Sequence, residues 1–298
     1  MAYITSLSDL LRRACGCFFF VGWMLLTPSI AGAASASPCE ADGSQRPYLK
    51  ITTLEGPIVI EMFEGASPAS VRRITELVRG PVFNTELLGN SKAVSEAGYY
   101  DGLSFNLTYK RLHISTSERM PKGLLEWPLE IDAVALGLDQ ATISSSGEAM
   151  DTWQMRLLKF YYRGDKQREM SGMFPQWLQQ WNETKTADFL IGVSEKEINE
   201  AMGYVYTSGL DSRPVLKGSV VLEPATTASA VTPALRIILQ DMPLETGRWM
   251  VVGQVVEGLE LAEDISLRPL ITPSEIKPRD FTPAKPVVIE SARIECRE

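Results

Sequence analysis

The sequence predicts a mainly β domain built from short antiparallel strands, with two helices and a long helical insertion. Three observations lead to this prediction. Short runs rich in β-branched residues alternate with turn residues near both ends of the chain. Two segments carry apolar residues at helical spacing next to a turn glycine. A third, internal segment is rich in aromatic residues and is broken by Gly172 and Pro175.

Two strands and a helix open the domain. Tyr48–Thr53 and Ile58–Met62 are β-rich runs, and the residues Leu54–Pro57 between them are typical of a hairpin turn. The helix that follows is predicted over Ser67–Arg79. It begins with Ser67 as its N-cap and a proline at its first position, keeps apolar residues at helical spacing, and stops before Gly80.

The first 36 residues are expected to be a targeting segment. Arg12 and Arg13 precede an apolar run, Cys15–Leu26, and small residues ending at Ala36 follow it. This order is typical of a cleaved secretory-type signal, and the run is short for a membrane span. An uncleaved anchor and a buried helix are the alternatives. Export is therefore expected, to the secretory pathway, the cell exterior or an organelle lumen such as the thylakoid lumen, with no membrane contact after cleavage.

The composition limits which partners and cofactors the protein is expected to bind. The formal net charge is -8 and no basic run is longer than a pair, so nucleic acid is not an expected partner. Cleavage of the signal leaves Cys39 and Cys296, which are either a closing disulfide or two idle thiols. The only histidine is His113 and no Cys-x-x-Cys pair occurs, so neither a metal nor a cofactor is expected.

Four stretches of the chain resemble cyclophilin-type peptidyl-prolyl isomerases, beginning with GYYDGLSF. They are residues 98–105, 203–222, 241–266 and 286–295. They occur in the order found in that family, after the strand, hairpin, strand and helix with which the family begins. In all, about half of the chain beyond the targeting segment matches the family. The resemblance implies a closed eight-stranded antiparallel β-barrel capped by two helices, Ser67–Arg79 and Leu259–Ile265.

The resemblance also implies that the first and last strands, Leu49–Thr53 and Val287–Ile294, pair side by side. Cys39 and Cys296 flank these strands, and export leads to an oxidising compartment, so a disulfide between them is predicted. The cyclophilin-like domain is predicted over residues 48–298, after a linker at 37–47, and it is interrupted by an insertion at 117–199.

The insertion is where the chain departs from the family. Its segment Met150–Trp181 carries apolar and aromatic residues that predict two short amphipathic helices. These residues are Trp153, Leu157, Phe160, Tyr161, Phe174, Trp177, Leu178 and Trp181. Their apolar face either packs against the barrel or forms a patch for a protein partner. Asn182 begins an Asn-Glu-Thr sequon and is a glycosylation candidate, while Asn106 lies in an expected strand and is a poor acceptor.

Catalysis in the family depends on an arginine that this chain lacks at the matching place. The resemblance implies an arginine that hydrogen-bonds the prolyl nitrogen or its neighbouring carbonyl, a glutamine that orients it, and an apolar pocket for the proline ring. Leu107 stands at the arginine place, Ser115 at the glutamine place and Arg236 at the floor of the pocket. The peptide-pocket places are held by Leu112, His113, Ser115, Ala234, Leu235, Arg236, Leu244, Glu245 and Trp249.

Two arginines are candidates for a relocated donor. Arg111 lies about 13 Å beyond Leu107 along an extended strand, so it would need a four-residue shift in register. Arg236 would have to reach into the site from the pocket floor. The predicted function is therefore a cyclophilin-like protein with weak or no isomerase activity that binds a proline-containing peptide or protein. The alternatives are an active proline isomerase with a relocated arginine, and a structural subunit of a lumenal or secreted complex.

Overall fold

The computed structural model of the chain describes residues 39, 45–80, 98–118, 126–162, 170, 172–225, 229–271 and 281–297. The predicted targeting segment and most of the predicted linker lie outside these residues. All of the elements below belong to one compact unit, residues 35–298.

Within the described residues, nine strands form one antiparallel sheet, and eight of them close into a barrel. The strands are β1 Arg46–Thr53, β2 Gly56–Met62, β3 Ser104–Tyr109, β4 His113–Thr116, β5 Trp127–Pro128, β6 Ser219–Pro224, β7 Ala230–Ile238, β8 Val251–Glu257 and β9 Val287–Arg297. The order around the barrel is β4-β3-β9-β1-β2-β8-β6-β7, and β7 pairs with β4 to close the ring. The short β5 pairs with β7 beside the ring. The predicted closed eight-stranded barrel is confirmed.

The two ends of the domain meet on neighbouring strands. β1 pairs with β9 from Arg46 opposite Arg297 to Thr53 opposite Ile289, and it pairs with β2 through the predicted hairpin. A disulfide joins Cys39 to Cys296, whose Cα atoms are 5.6 Å apart. Both the strand pairing and the disulfide are confirmed. The bond therefore ties the segment ahead of β1 to the last strand of the barrel.

Alternate residues of the strands fill the inside of the barrel, as closure of a short-stranded sheet requires. Phe105, Ile114 and Leu235 are among these buried residues. Two helices complete this core, α1 (Pro68–Arg79) and, near the end of the chain, Leu259–Ser266. Both predicted helices are confirmed.

The cap of α1 differs from the prediction. Ser67 is buried and its hydroxyl has no hydrogen-bond partner, so its side chain caps nothing. The carboxylate of Glu130 instead accepts the backbone N–H groups of Ala69 at 2.9 Å and Ser70 at 2.7 Å, and it accepts the Ser70 hydroxyl at 2.6 Å. Glu130, some sixty positions further along the chain, therefore caps the helix in place of Ser67. A carboxylate can accept several of the free N–H groups of a first helical turn at once.

The predicted insertion folds into short helices with a core of their own. These elements are α2 Ser146–Asp151, a π-helix Thr152–Leu158, α3 Lys159–Tyr161, α4 Phe174–Thr184, a 3₁₀ turn Asp188–Leu190 and α5 Glu195–Ala201, and the helix Leu259–Ser266 is therefore α6. The two predicted helical segments are present, the first running through α2, the π-helix and α3 and the second being α4.

The aromatic face of these helices packs mainly against other residues of the insertion. Trp153 is fully buried, stacked on Phe174 with ring centroids 5.7 Å apart and in edge contact with Phe189 at 5.3 Å. Leu157, Trp177, Leu190 and Ile198 belong to the same cluster, which is separate from the barrel core. We call this cluster the insertion core. The helices and the segment up to Met202 present apolar faces to one another, so the aromatic face packs mainly within the insertion rather than on the barrel core. A role of this face toward a protein partner stays a prediction.

Candidate functional site

The predicted catalytic places lie side by side on the outer face of the barrel. Leu107 on β3 is paired with Ser115 on β4, and Ser115 is paired with Arg236 on β7. The neighbouring residues Ile114, Leu235 and Ile237 point into the barrel core, so Ser115 and Arg236 point outward. Arg111 does not belong to this row, because it lies in the turn between β3 and β4. The assignment of the arginine place to Leu107 stays a prediction.

Arg236 is held in place by three neighbours. Its residue surface is only 6% exposed. Its Nε donates to the Ser115 hydroxyl at 3.2 Å, and its Nη2 forms an ion pair with Glu223 of β6. The guanidinium carbon lies 4.4 Å from the centroid of the Trp249 ring, in cation–π contact. The positive charge at the predicted pocket floor is therefore compensated within the chain.

His113 adds a neutral ring to this face. It is 5% exposed, and its ring lies 4.5 Å from that of Tyr109 and 6.0 Å from that of Trp249, measured between centroids. Burial, followed by the charge of Arg236, lowers the pKa of His113 to about 3. Its Nδ1 is buried without a hydrogen-bond partner. Near neutral pH the imidazole is uncharged, so it forms a neutral aromatic wall rather than acting as an acid.

An aromatic pair extends the wall beyond His113. The ring of Tyr109 stacks on that of Phe281 at 4.1 Å, and the backbone N–H of Thr108 donates to the Phe281 carbonyl at 2.9 Å. Both rings are partly exposed. Phe281 therefore lies beside β3 and contributes to the site, which the sequence did not predict.

The remaining pocket places are scattered around this face. Leu112 is 36% exposed and Leu244 is 74% exposed, while Glu245 forms an ion pair with Arg248 at 3.2 Å. Ala234 is buried on the outer face beside the Arg236 row, whereas Leu235 points into the barrel core and takes no part in the site. Apart from Leu235, the predicted places thus divide into a packed centre around Arg236 and a more exposed rim.

Glu223 was missed by the sequence prediction, although a signal for it exists. Along β6, Val220 and Leu222 belong to the barrel core, so Val221 and Glu223 alternate to the outer face. Val221 is paired with Arg236 on the neighbouring strand. Glu223 lies two positions after Val221 on the same face of β6, which places it within reach of Arg236 on β7. The sequence alone did not show that β6 and β7 are neighbours.

Arg111 lies away from this row. It occupies the turn between β3 and β4, where the Leu112 N–H donates to the Tyr109 carbonyl at 2.8 Å. A cavity of about 540 Å³ opens beside it, lined also by Lys217, Leu239, Gln240, Asp241, Glu263, Ser266 and Leu267. None of these lining residues is a predicted peptide-pocket place.

The described part of the chain contains no group of three or more His, Cys, Asp or Glu residues placed to hold a metal ion. Within the same residues no helix is long and apolar enough to cross a membrane. The glycosylation candidate Asn182 is exposed on α4, and Asn106 is half-buried on β3.

Comparisons with known proteins give structural likeness only. No family model and no curated protein matches the sequence. A cyclophilin from Hirschia baltica is 13% identical, with a TM-score of 0.40, over 82% of this chain and 72% of its own. A cyclophilin-type peptidyl-prolyl cis-trans isomerase from Cryptosporidium parvum, solved in the presence of the dipeptide Ala-Pro, is 12% identical, with a TM-score of 0.38, over 83% of this chain and 98% of its own. The assignment of the fold rests on the strand pairings above.

Proposed function

We propose that this chain is a cyclophilin-like protein with weak or no prolyl isomerase activity that acts as a peptide- or protein-binding module. One observation carries the proposal. The place at which the resemblance puts the floor of the proline pocket holds Arg236, 6% exposed and paired with Glu223. A proline ring at this place would have to displace a charged, hydrogen-bonded side chain.

The chemistry of rotation supports the loss of activity. Isomerisation must break amide resonance, with a barrier of about 18–20 kcal/mol, and a positioned donor is what lowers it. The side chain of Leu107 has no hydrogen-bond donor. The Ser115 hydroxyl already accepts the Nε–H of Arg236 at 3.2 Å. Loss of one such electrostatic donor costs on the order of 10²–10³ in rate. We therefore expect activity lower than that of an ordinary cyclophilin by at least this factor.

The rim of the site supports retained binding. Trp249, Tyr109 and Phe281 are partly exposed aromatic residues, and Leu244 is 74% exposed. Aromatic side chains that remain partly exposed beside an apolar residue are typical of surfaces that take up peptides and proteins. The proposed ligand is an extended, proline-containing peptide or protein segment that contacts the rim rather than the filled centre.

A proline-isomerisation assay on residues 37–298 tests the catalytic half of the proposal. Arg236→Ala and Arg111→Ala are measured beside the unchanged protein. Activity near that of an ordinary cyclophilin would overturn the proposal, and its loss in one of the two variants would identify the relocated donor. A restored triple variant, Leu107→Arg with Ser115→Gln and Arg236→Phe, is expected to gain activity over the unchanged protein.

Binding is tested separately by NMR titration with proline-containing peptides. Saturable shifts of the amide signals of Tyr109, Trp249 and Phe281 are expected, reduced in a Trp249→Ala variant. Shifts that are absent at every peptide concentration, or unchanged in the variant, would contradict the binding half while leaving the catalytic half standing.

A structural subunit of a larger complex is a second candidate, favoured by the insertion. Its aromatic residues are buried in the insertion core, but Met155, Tyr162 and Met173 remain 62%, 57% and 46% exposed. A stable partner that co-purifies with the protein and is released by deletion of residues 150–181 would support this role. We also propose export to an oxidising compartment, supported by the Cys39–Cys296 bond.

A further inference from the structure

The cavity beside Arg111 has walls from four separate parts of the barrel. Arg111 comes from the turn between β3 and β4, Leu239 and Asp241 from the end of β7, and Lys217 from the turn before β6. The last turn of α6 supplies Glu263 and Ser266, and Leu267 follows directly after the helix. The cavity has a volume of about 540 Å³, which is within the range of small-molecule and peptide-end sites.

Two cations and two anions line the cavity, and three of these four groups satisfy one another. Lys217 Nζ lies 2.6 Å from Glu263 Oε1, and the backbone N–H of Lys217 donates to Asp241 Oδ1 at 2.8 Å. Arg111 donates only through its backbone N–H, to Ser266 Oγ at 3.3 Å. Among the described residues, its guanidinium has no hydrogen bond or ion pair. Of the two lining cations, it is the one that is not engaged by a side chain of the described residues.

The backbone of Arg111 makes this side chain unusual. Its φ is 59°, in the left-handed region that favours glycine. It is the third residue of a turn closed by the Leu112 N–H to Tyr109 O bond, where glycine or asparagine is preferred when φ is positive. The other described non-glycine residue with positive φ, Lys185, follows a helix end. Glycine would adopt this backbone conformation with less strain than the arginine that occupies the position.

From these observations we propose that the cavity binds the C-terminal carboxylate of a peptide whose last side chain is apolar. Arg111 binds the carboxylate, since a guanidinium matches a carboxylate in a two-bond geometry. Leu239 and Leu267 contact the apolar side chain, and the Gln240 amide is available to the backbone of the ligand. This site goes beyond the proposed function and does not depend on it.

The experiment is an NMR titration of the purified protein with three probes. N-Acetyl-leucine carries the terminal carboxylate and an apolar side chain. N-Acetyl-leucine amide lacks the charge, and N-acetyl-aspartate methylamide carries the carboxylate on a side chain instead. N-Acetyl-leucine is expected to shift the amide signals of Leu239, Gln240 and Leu267 with a Kd in the millimolar range. Each of the other two probes is expected to bind at least about tenfold more weakly.

Three variants separate binding from folding. Arg111→Gln is expected to weaken N-acetyl-leucine binding by about tenfold or more, since a charge-assisted bond is lost. Arg111→Gly is expected to lose binding while the protein stays folded, because glycine suits the turn. Lys110→Gln removes the neighbouring exposed charge, which does not line the cavity, and is expected to change nothing.

Several results would overturn the proposal. Equal affinity for the acid and the amide would rule out recognition of a carboxylate. An unchanged Kd in Arg111→Gln would rule out the role of Arg111. N-Acetyl-aspartate methylamide binding as tightly as N-acetyl-leucine would reject a C-terminal source of the carboxylate. Absence of saturable shifts with every probe would reject the site.

Discussion

The guanidinium carbon of Arg236 lies 4.4 Å from the centre of the Trp249 ring, on a face that the cyclophilin resemblance assigns to the proline ring of a substrate. A buried guanidinium requires compensation because it has left water. Glu223, Ser115 and Trp249 supply it together. The resulting cluster fills the centre of the face with groups that stabilise one another, and its energetics can be measured without reference to any ligand.

A double-mutant cycle is expected to show strong coupling between Arg236 and Glu223 in the free energy of unfolding. Arg236→Met leaves the Glu223 carboxylate unpaired with its side chain only 18% exposed, and a loss of about 2–4 kcal/mol in the free energy of unfolding is expected. Glu223→Gln is expected to cost a similar amount. The double variant should cost less than the sum by about 1–3 kcal/mol, as measured by urea unfolding.

An exposed pair provides the control for this cycle. Arg73 and Glu76 lie 3.9 Å apart with side chains 48% and 44% exposed, so the cycle of Arg73→Met and Glu76→Gln is expected to show coupling below about 0.5 kcal/mol. If the Arg236–Glu223 cycle is no more coupled than this surface pair, the compensated-charge account of the site is wrong.

The stability of the protein is expected to fall as the pH drops below 6.5, because of His113. Burial and the charge of Arg236 lower its pKa to about 3 in the folded state. Between these two values the unfolded chain binds a proton that the folded chain does not, so the free energy of unfolding decreases as the pH falls. Each pH unit contributes up to about 1.4 kcal/mol, giving about 2 kcal/mol between pH 7 and pH 5.

His113→Met isolates this contribution, since His113 is the only histidine of the chain. Urea unfolding of both proteins is compared at pH 7 and pH 5. The variant is expected to lose less stability than the unchanged protein over this interval by up to about 2 kcal/mol. Equal losses in the two proteins would mean that His113 is protonated in the folded state or exposed to water.

The cap provided by Glu130 is expected to be needed for α1. Glu130→Ala removes the acceptor of the Ala69 and Ser70 N–H groups, and a loss of about 1–2 kcal/mol is expected, the usual range for a helix N-cap. Glu290→Ala removes an exposed acid on β9 and serves as the control, with a change within about 0.5 kcal/mol. A loss no larger than that of the control would show that water caps the helix equally well.

The insertion core is expected to unfold separately from the barrel. Trp153→Ala empties the centre of this core, and large-to-small changes of this kind cost about 3–5 kcal/mol. Native-state hydrogen exchange is expected to show lost protection in the described helices between residues 146 and 201 and unchanged protection in β1, β2 and β9. Met155→Ala, at a position 62% exposed, is the matched control. Uniform loss of protection through the barrel would mean that the two cores are one cooperative unit.

Much of the fold follows from local patterns. The alternation of Leu49 and Ile51, the turn at Gly56 and the apolar spacing of α1 each depend on residues within a few positions, so the strands, the hairpin and the helix were predictable. The Cys39–Cys296 bond followed from the expected neighbourhood of the first and last strands. The absence of an arginine at residue 107 was also visible in the sequence, because it depends on register alone.

Partners distant in sequence were decided by the tertiary structure. Glu130 rather than Ser67 caps α1, Glu223 neutralises Arg236, Phe281 stacks on Tyr109, and the aromatic residues of the insertion bury one another. In each contact, many other residues of the chain have the chemistry to be the partner. Only the packing of the strands and helices brings one particular partner within reach. The sequence by itself therefore determined the strands, the helices and the joined ends of the barrel, and the assignment of the arginine place to Leu107 stays a prediction. The tertiary structure decided which groups fill the site. A buried charge has to be paired, and its partner is the group that the fold places within hydrogen-bonding distance.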